Sequence, residues 1–279
     1  MKEFHRFGDI TQIKMGRDVP EGTHWPEGQP VLYWTAAYLV DGLLIDTGCR
    51  HTAKELADFL EGQYLKLAVN THYHEDHVGG NAVLRDRFGI EVLASPETIE
   101  MIDLAPDWKP YREFIWGSPE PCPIGVLPEC VETERYSFRV IATPGHCKGH
   151  VSLVEPTRGW CFSGDLIAST EPRVVGFEED IDGTVASMQR ILDLGIEGLA
   201  LYGSAFGKVF ENGCEALRLC IDYLQDLSVK VARLQKRGLP ATEIRDELLG
   251  RESTLAELSD GDASSLNLIR AIMKSRAAR

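Results

Sequence analysis

Thr71 to Gly80 reads THYHEDHVGG. Three histidines and two carboxylates fall within six residues of it: His72, His74, Glu75, Asp76 and His77. Such a density is either a metal site or a very polar loop. The text before it, LKLAVNT, has the short apolar run of a buried strand, so the cluster stands at a strand end. His72 and His74 are two apart. In extended backbone such side chains share a face, so both imidazoles can address one ion. Asp76 and His77 follow at the turn into a helix that the pattern starts at Val78, and this pair can address a second point. Gly79 and Gly80 permit close backbone approach there. Imidazole nitrogen and carboxylate oxygen suit zinc, and iron or manganese as well.

A local cluster supplies only part of a metal shell, so partners must come from elsewhere. TPGHCKGH follows the strand-like FRVIA and offers His146. FSGD closes the strand-like run around Trp160 to Phe162 and offers Asp165, a carboxylate able to bridge two ions. His150 immediately precedes a strand and reads as a structural or supporting residue. With DTG at Asp46 to Gly48 upstream, the series DTG, HxHxDH, PGH, SGD resembles the metallo-β-lactamase-fold superfamily. It is similar above all to the glyoxalase II-like and nuclease-like members with an added helical domain. The resemblance covers roughly the first 210 residues.

That resemblance implies an α+β fold, a four-layer αββα sandwich with the metals in a cleft at its edge. It implies that His72, His74 and His146 hold a first metal, that Asp76 and His77 hold a second, and that Asp165 bridges them. Asp46 would orient the ligand loops through hydrogen bonds. A hydroxide held between two dications is nucleophilic at neutral pH, and Asp76 would orient it and handle a proton. The reaction class is then hydrolysis of an ester, thioester, amide or phosphoester.

One part of the pattern is missing. The family supplies a further histidine in a turn after a late strand, where this chain reads LALYGSAFGK and places Ser204. The eight histidines stand at 5, 24, 51, 72, 74, 77, 146 and 150, so none follows residue 150. Water, Ser204, Tyr202 or a distant His24 is left to fill the gap. The expectation is a second site of weak or partial occupancy, or a single-metal enzyme. Zinc is the expected ion, one or two per chain, with iron or manganese also suited.

The rest of the chain frames this site. The opening 47 residues are strand-like, and strand–helix alternation follows in two similar rounds. Two packed sheets with outer helices fit that order better than one parallel sheet. Residues 96 to 128 hold seven of the fourteen prolines together with Trp108, Tyr111, Phe114 and Trp116. They read as an irregular insertion, either core or a lid over an apolar pocket. From Glu211 the pattern turns purely helical. We therefore expect a catalytic domain over 1–210 and a helical domain over 211–279 that packs, dimerises or covers the cleft. Its last two helices also resemble a winged-helix module with a basic tip at Lys274, Arg276 and Arg279.

The net charge is −14, and all of it lies in the first 210 residues. This disfavours a nucleic-acid backbone as partner. The longest apolar run, Val31 to Val40, is too short to span a bilayer. The N-terminus carries no secretory pattern, and seven scattered cysteines read as reduced thiols. A cytoplasmic enzyme acting on a small molecule is the expectation, with a homodimer open. The alternatives are an iron-dependent sulfur dioxygenase, an RNA-directed nuclease of the same fold, and a binding protein that has lost turnover.

Overall fold

The structure is a computed structural model that describes residues 1–23, 25, 28–104 and 109–277. His24, Trp108 and Arg279 lie outside these residues, as does the Arg276 side chain.

The first sheet is built in chain order from β1 (Lys2–Phe7), β2 (Ile10–Met15), β3 (Thr35–Val40), β4 (Gly42–Ile45), β5 (Leu65–Val69), β6 (Glu91–Ala94) and β7 (Gly125–Val126). It runs antiparallel from β1 to β4 and parallel from β4 to β7. β8 (Cys130–Glu132), β9 (Ser137–Ala142), β10 (Val151–Glu155) and β11 (Trp160–Gly164) begin the second sheet. After β12 (Val175–Gly176), β13 (Ala200–Gly203) and β14 (Val209–Phe210) complete it.

Every residue of β3 is buried. The reason is that both faces of the first sheet are covered, so the strand reads as an unbroken apolar run instead of alternating. Tyr38 and Val40 face Phe138, Leu153 and Phe162 of the second sheet. Ala37 and Leu39 face the other way, toward Leu56, Leu60 and Leu84. These last belong to α1 (Ala53–Leu60) and, after α2 (Glu75–Val78), to α3 (Asn81–Phe88). On the far side of the second sheet, Val154, Cys161 and Leu201 pack on Met188, Ile191, Leu217 and Leu224. The result is helix, sheet, sheet, helix: the four-layer αββα sandwich.

Three local features depart from the sequence reading. First, the helix expected to run on from Val78 is two helices. Gly79 donates its N–H to Gly48 O at 2.9 Å rather than to the preceding turn. A Cβ on Gly80 would stand 2.3 Å from the Thr47 carbonyl oxygen. The glycines thus press this corner against the Asp46 loop and break the helix, leaving Asp76 and His77 on their own short turn. Second, 96–128 is not irregular throughout. It contains α4 (Pro96–Asp103) and α5 (Pro110–Ile115), each opened by a proline at the first helical position, where the missing N–H costs nothing. Ser95 Oγ caps α4 by accepting from the Thr98 N–H at 3.1 Å.

Third, the chain beyond 211 is not purely helical. After α6 (Ile181–Leu192) come α7 (Gly213–Lys236), α8 (Ala241–Leu249), α9 (Thr254–Leu258) and α10 (Ser265–Ala277). Between the last two, β15 (Ala263–Ser264) pairs antiparallel with β12. Glu252 caps α10, accepting from the N–H groups of Ser265 and Leu266 at 2.9 and 3.1 Å. Val231, Ile244, Leu268 and Ile269 share one apolar cluster with α6 and β11, so this segment packs directly on the second sheet.

Candidate metal centre

Six residues meet at one edge of the sandwich, where the ends of β5, β9 and β11 approach. His72, His74 and His146 each bring one donor atom to within 4.8 Å of the others, and so do His72, His77 and Asp165. His74 Nδ1 lies 3.0 Å from His72 Nε2 and 3.0 Å from His146 Nε2. Asp165 Oδ2 lies 3.5 Å from His77 Nε2 and 3.7 Å from His146 Nε2. Asp76 Oδ2 lies 3.5 Å from His77 Nε2.

The opposite nitrogens explain the orientation. Thr71 Oγ1 donates to Asp46, so His72 Nδ1–H donates to Thr71 Oγ1 at 3.0 Å, leaving Nε2 with the lone pair. His74 Nε2–H donates to Glu178 Oε1 at 2.8 Å, and Nδ1 is left bare. His146 Nδ1 faces Glu179 Oε1 at 3.5 Å. Three bare imidazole nitrogens thus converge, and their lone pairs repel one another unless a cation stands among them. His77 Nε2 and Asp165 Oδ1 are buried without a hydrogen-bond partner. A buried polar atom left alone is costly. Together these observations fit a nitrogen- and oxygen-liganded divalent metal.

The electrostatics agree. Burial opposes charge on His77, but Asp165, Asp76 and Asp46 outweigh it and push its pKa well above the usual histidine range. The protein has built a place that favours positive charge. Burial alone would raise Asp76 and Asp165, yet His77 holds both below the usual carboxylate range. Burial and the neighbouring imidazoles drive His72 far down, so it stays neutral.

Asp46 is fully buried. Its carboxylate accepts from the Thr71 N–H at 2.8 Å, His77 Nδ1 at 2.9 Å and Ser204 Oγ at 2.6 Å. It thereby ties the strand end of His72 to the turn of His77. Ser204 therefore spends its proton on Asp46. Tyr202 does not face the centre. Its ring stacks on Phe162 and meets Phe7 edge-on between the sheets. After burial, the charge that raises its pKa is Glu211, not a carboxylate of the site. Residues alternate along β13, so Tyr202 points into the inter-sheet core and is no substitute for the missing histidine.

A cavity of about 490 Å³ opens over the cluster. Tyr33, Ile115, Trp116 and Phe206 line one side, and Leu224, Leu255 and Leu258 of the C-terminal segment line another. Tyr111 and Trp116 of the aromatic insertion reach the cavity, whereas Phe114 lies half-exposed beside Arg17. Arg112 grips Glu75 with two hydrogen bonds of 2.5 and 2.8 Å, binding α5 to α2.

A family profile described as the metallo-beta-lactamase superfamily matches residues 35–203, which is more than half of the chain. The chain belongs to the metallo-beta-lactamase superfamily. Among curated relatives, a protein named hydroxyacylglutathione hydrolase of Bdellovibrio bacteriovorus is 29% identical over 144 residues, 51% of each chain. The chain spans about half the length of the curated relatives it matches. A metallo-beta-lactamase family protein from Thermus thermophilus superposes with a TM-score of 0.65 at 18% identity, over 96% of this chain and 94% of that one. A protein solved in a di-iron-bound form is 30% identical, with a TM-score of 0.52, over 66% of this chain and 93% of that one.

Four supporting residues escape the sequence reading. Glu178 and Glu179 follow β12 in FEED and each faces the outer nitrogen of one histidine. No spacing rule connects an acidic pair there to histidines 33 or more positions away. Tyr33 lies on an apolar stretch and reads as core. Arg112 reads as an ordinary surface charge until Glu75 is found buried beneath it. His150 does what its place before a strand suggests. Its Nε2 accepts the Asp165 N–H at 3.0 Å and its Nδ1 meets Thr143 Oγ1 at 2.9 Å. Burial lowers its pKa to about 3, so it remains the neutral acceptor that fixes Asp165.

Proposed function

We propose that this chain is a metal-dependent hydrolase acting on a small ester or thioester. The observation that carries the reading is the convergence of bare nitrogens from His72, His74 and His146 beside the unpartnered His77 Nε2 and Asp165 Oδ1, at the floor of a substrate-sized cavity. In it His72, His74 and His146 would hold one ion, and His77, Asp76 and Asp165 would hold a second. Zinc is the ion we assign. Iron is the second reading, supported by the relative known in a di-iron form. The hydroxyacylglutathione hydrolases among the relatives favour a thioester.

The bound metal supplies a Lewis acid that makes water nucleophilic at neutral pH and polarises a carbonyl. The chain does the rest. Asp76, held ionised beside His77, accepts the proton of the attacking water and returns it to the leaving group. Burial, with Asp76 and Asp165, pushes the Tyr33 phenol well above its usual range. It stays protonated, and because it lines the cavity together with His74, Asp76 and Asp165 we assign it as the donor to the oxygen on which charge develops. Glu178 and Glu179 hold His74 and His146 in place. The C-terminal segment walls part of the cavity, which favours a small molecule over a polymer. All seven cysteines are free, which supports a reducing compartment. Among the described residues no helix is long and apolar enough to cross a membrane.

The test is protein purified without added metal. Elemental analysis should find zinc, and thioester cleavage should disappear on chelation and in Asp165→Ala. Cleavage that survives chelation overturns the reading, and iron with oxygen uptake replaces it by the second.

A further inference from the structure

The cavity carries a statement about its substrate that rests on the hydrolase reading above. Its interior cation is already paired. Among the described lining residues no lysine appears, and the guanidiniums are Arg112 and Arg173. Arg112 is held by both oxygens of Glu75 and lies over the Trp116 ring, 5.4 Å from its centre. Arg173 lies exposed at the mouth, where water screens its charge, and donates one N–H to the Leu249 carbonyl. Of the carboxylates outside the metal centre, Glu171 lies exposed to water and the other three are matched. Glu178 meets His74 and Tyr73, Glu179 accepts the Gly176 N–H at 2.8 Å, and Asp262 accepts from Tyr111 and pairs with Lys109. Among the described residues of the interior, away from the metal centre, no charged group is left to greet a charged substrate.

The rim points the same way. Phe177 and Phe206 both line the cavity yet stay 64% and 47% exposed. Two phenylalanine rings facing water at one opening are an unfavourable arrangement that an apolar ligand relieves. Phe206 is held, moreover, at φ +55°. A bulky side chain rarely adopts this left-handed backbone, and such strain gathers where a side chain is presented for use. Its ring lies 4.7 Å from that of Tyr33, so the two rings form one stretch of the cavity wall.

We propose that the substrate's non-reacting portion is uncharged and apolar, an aromatic or branched aliphatic group seated between Phe206 and the Leu255–Leu258 wall. Thioesters of polyanionic carriers are poor substrates, because away from the metal centre a carboxylate in the cavity interior finds only Arg112, already paired with Glu75.

The experiment uses the zinc-loaded protein and two benzoyl thioesters with the same reacting bond, one of benzyl mercaptan and one of mercaptosuccinate. The neutral thioester should show kcat/KM about 100-fold higher. Equal values, or preference for the dianion or for lactoylglutathione, overturn the inference. Phe206→Asn supplies the independent arm. Asparagine tolerates the left-handed backbone, so the thermal midpoint should rise while KM for the neutral thioester rises about tenfold. An unchanged KM counts against the proposal. Should neither thioester be cleaved, the hydrolase reading fails, and calorimetry with the two corresponding thioethers still decides this inference. Tighter binding of the neutral thioether supports it, and equal or tighter binding of the dianion overturns it.

Discussion

The two halves of the candidate centre are built to different standards. Around His72, His74 and His146, each imidazole has its outer nitrogen addressed by a partner, Thr71, Glu178 or Glu179. Around Asp76, His77 and Asp165, the outer nitrogen of His77 is fixed by Asp46, but the inner atoms His77 Nε2 and Asp165 Oδ1 have no hydrogen-bond partner. The oxygen of Ser204 is turned to Asp46. The first half is a closed set of three nitrogens, whereas the second has one nitrogen and relies on carboxylates. The lesson is that a metal motif can be whole along the chain and uneven in space.

That contrast can be broken outright. His74→Ala or His146→Ala should empty the centre and lower thioester turnover at least about a thousandfold. His77→Ala should leave one ion per chain by elemental analysis. Equal metal loss in all three variants would show that the halves do not differ.

Stability tests the second half through its scaffold. Arg112→Leu strands the buried Glu75 carboxylate in α2 and should cost about 3–5 kcal/mol in urea unfolding. An unchanged midpoint would mean that α2 is held by something other than this pair. On the first half, Glu178→Gln keeps the shape but removes the charge behind His74. Affinity for zinc should fall about 10–100-fold in a chelator competition. The same loss in the weaker ion only would reverse the assignment of Glu178.

Ser204→Ala is smaller and sharper. It removes one donor to Asp46 and should cost about 1 kcal/mol, with metal content unchanged. A drop in metal stoichiometry would instead make Ser204 a ligand.

A further effect lies away from both halves. Burial pushes the Glu252 carboxyl up, but hydrogen bonds from Ser265, Ser253 and Leu266 outweigh it and hold the pKa at about 2 against an ordinary 4.5. A carboxylate held low in the folded state contributes fully above about 4.5 and loses that contribution as pH falls toward 2. Glu252→Gln should lower the thermal midpoint at pH 7 and flatten its fall in acid, with no change in metal content. A parallel curve would show that the cap contributes nothing.

Much of this is legible in the chain. The ligand motif stands out because a strand end forces its residues onto one face and two strand ends bring in His146 and Asp165. The four layers follow from strands such as β3, apolar on both faces. Gly79–Gly80 announces a close approach, though not that it splits the helix, because the Thr47 backbone that it meets is far away in sequence. The prolines of 96–128 suggest irregular chain, yet two of them start helices. Glu178 and Glu179 are invisible for a simpler reason. They act on histidines through pairing of β12 with a two-residue strand, and two residues make no pattern.

That short pairing has a consequence for the order in which the protein matures. All six candidate ligands, together with Glu178 and Glu179, precede residue 180. The strand partner of Val175–Gly176 and the Leu255–Leu258 wall come more than seventy residues later. During synthesis, the groups that gather the metal leave the ribosome before the wall that shapes the pocket above it.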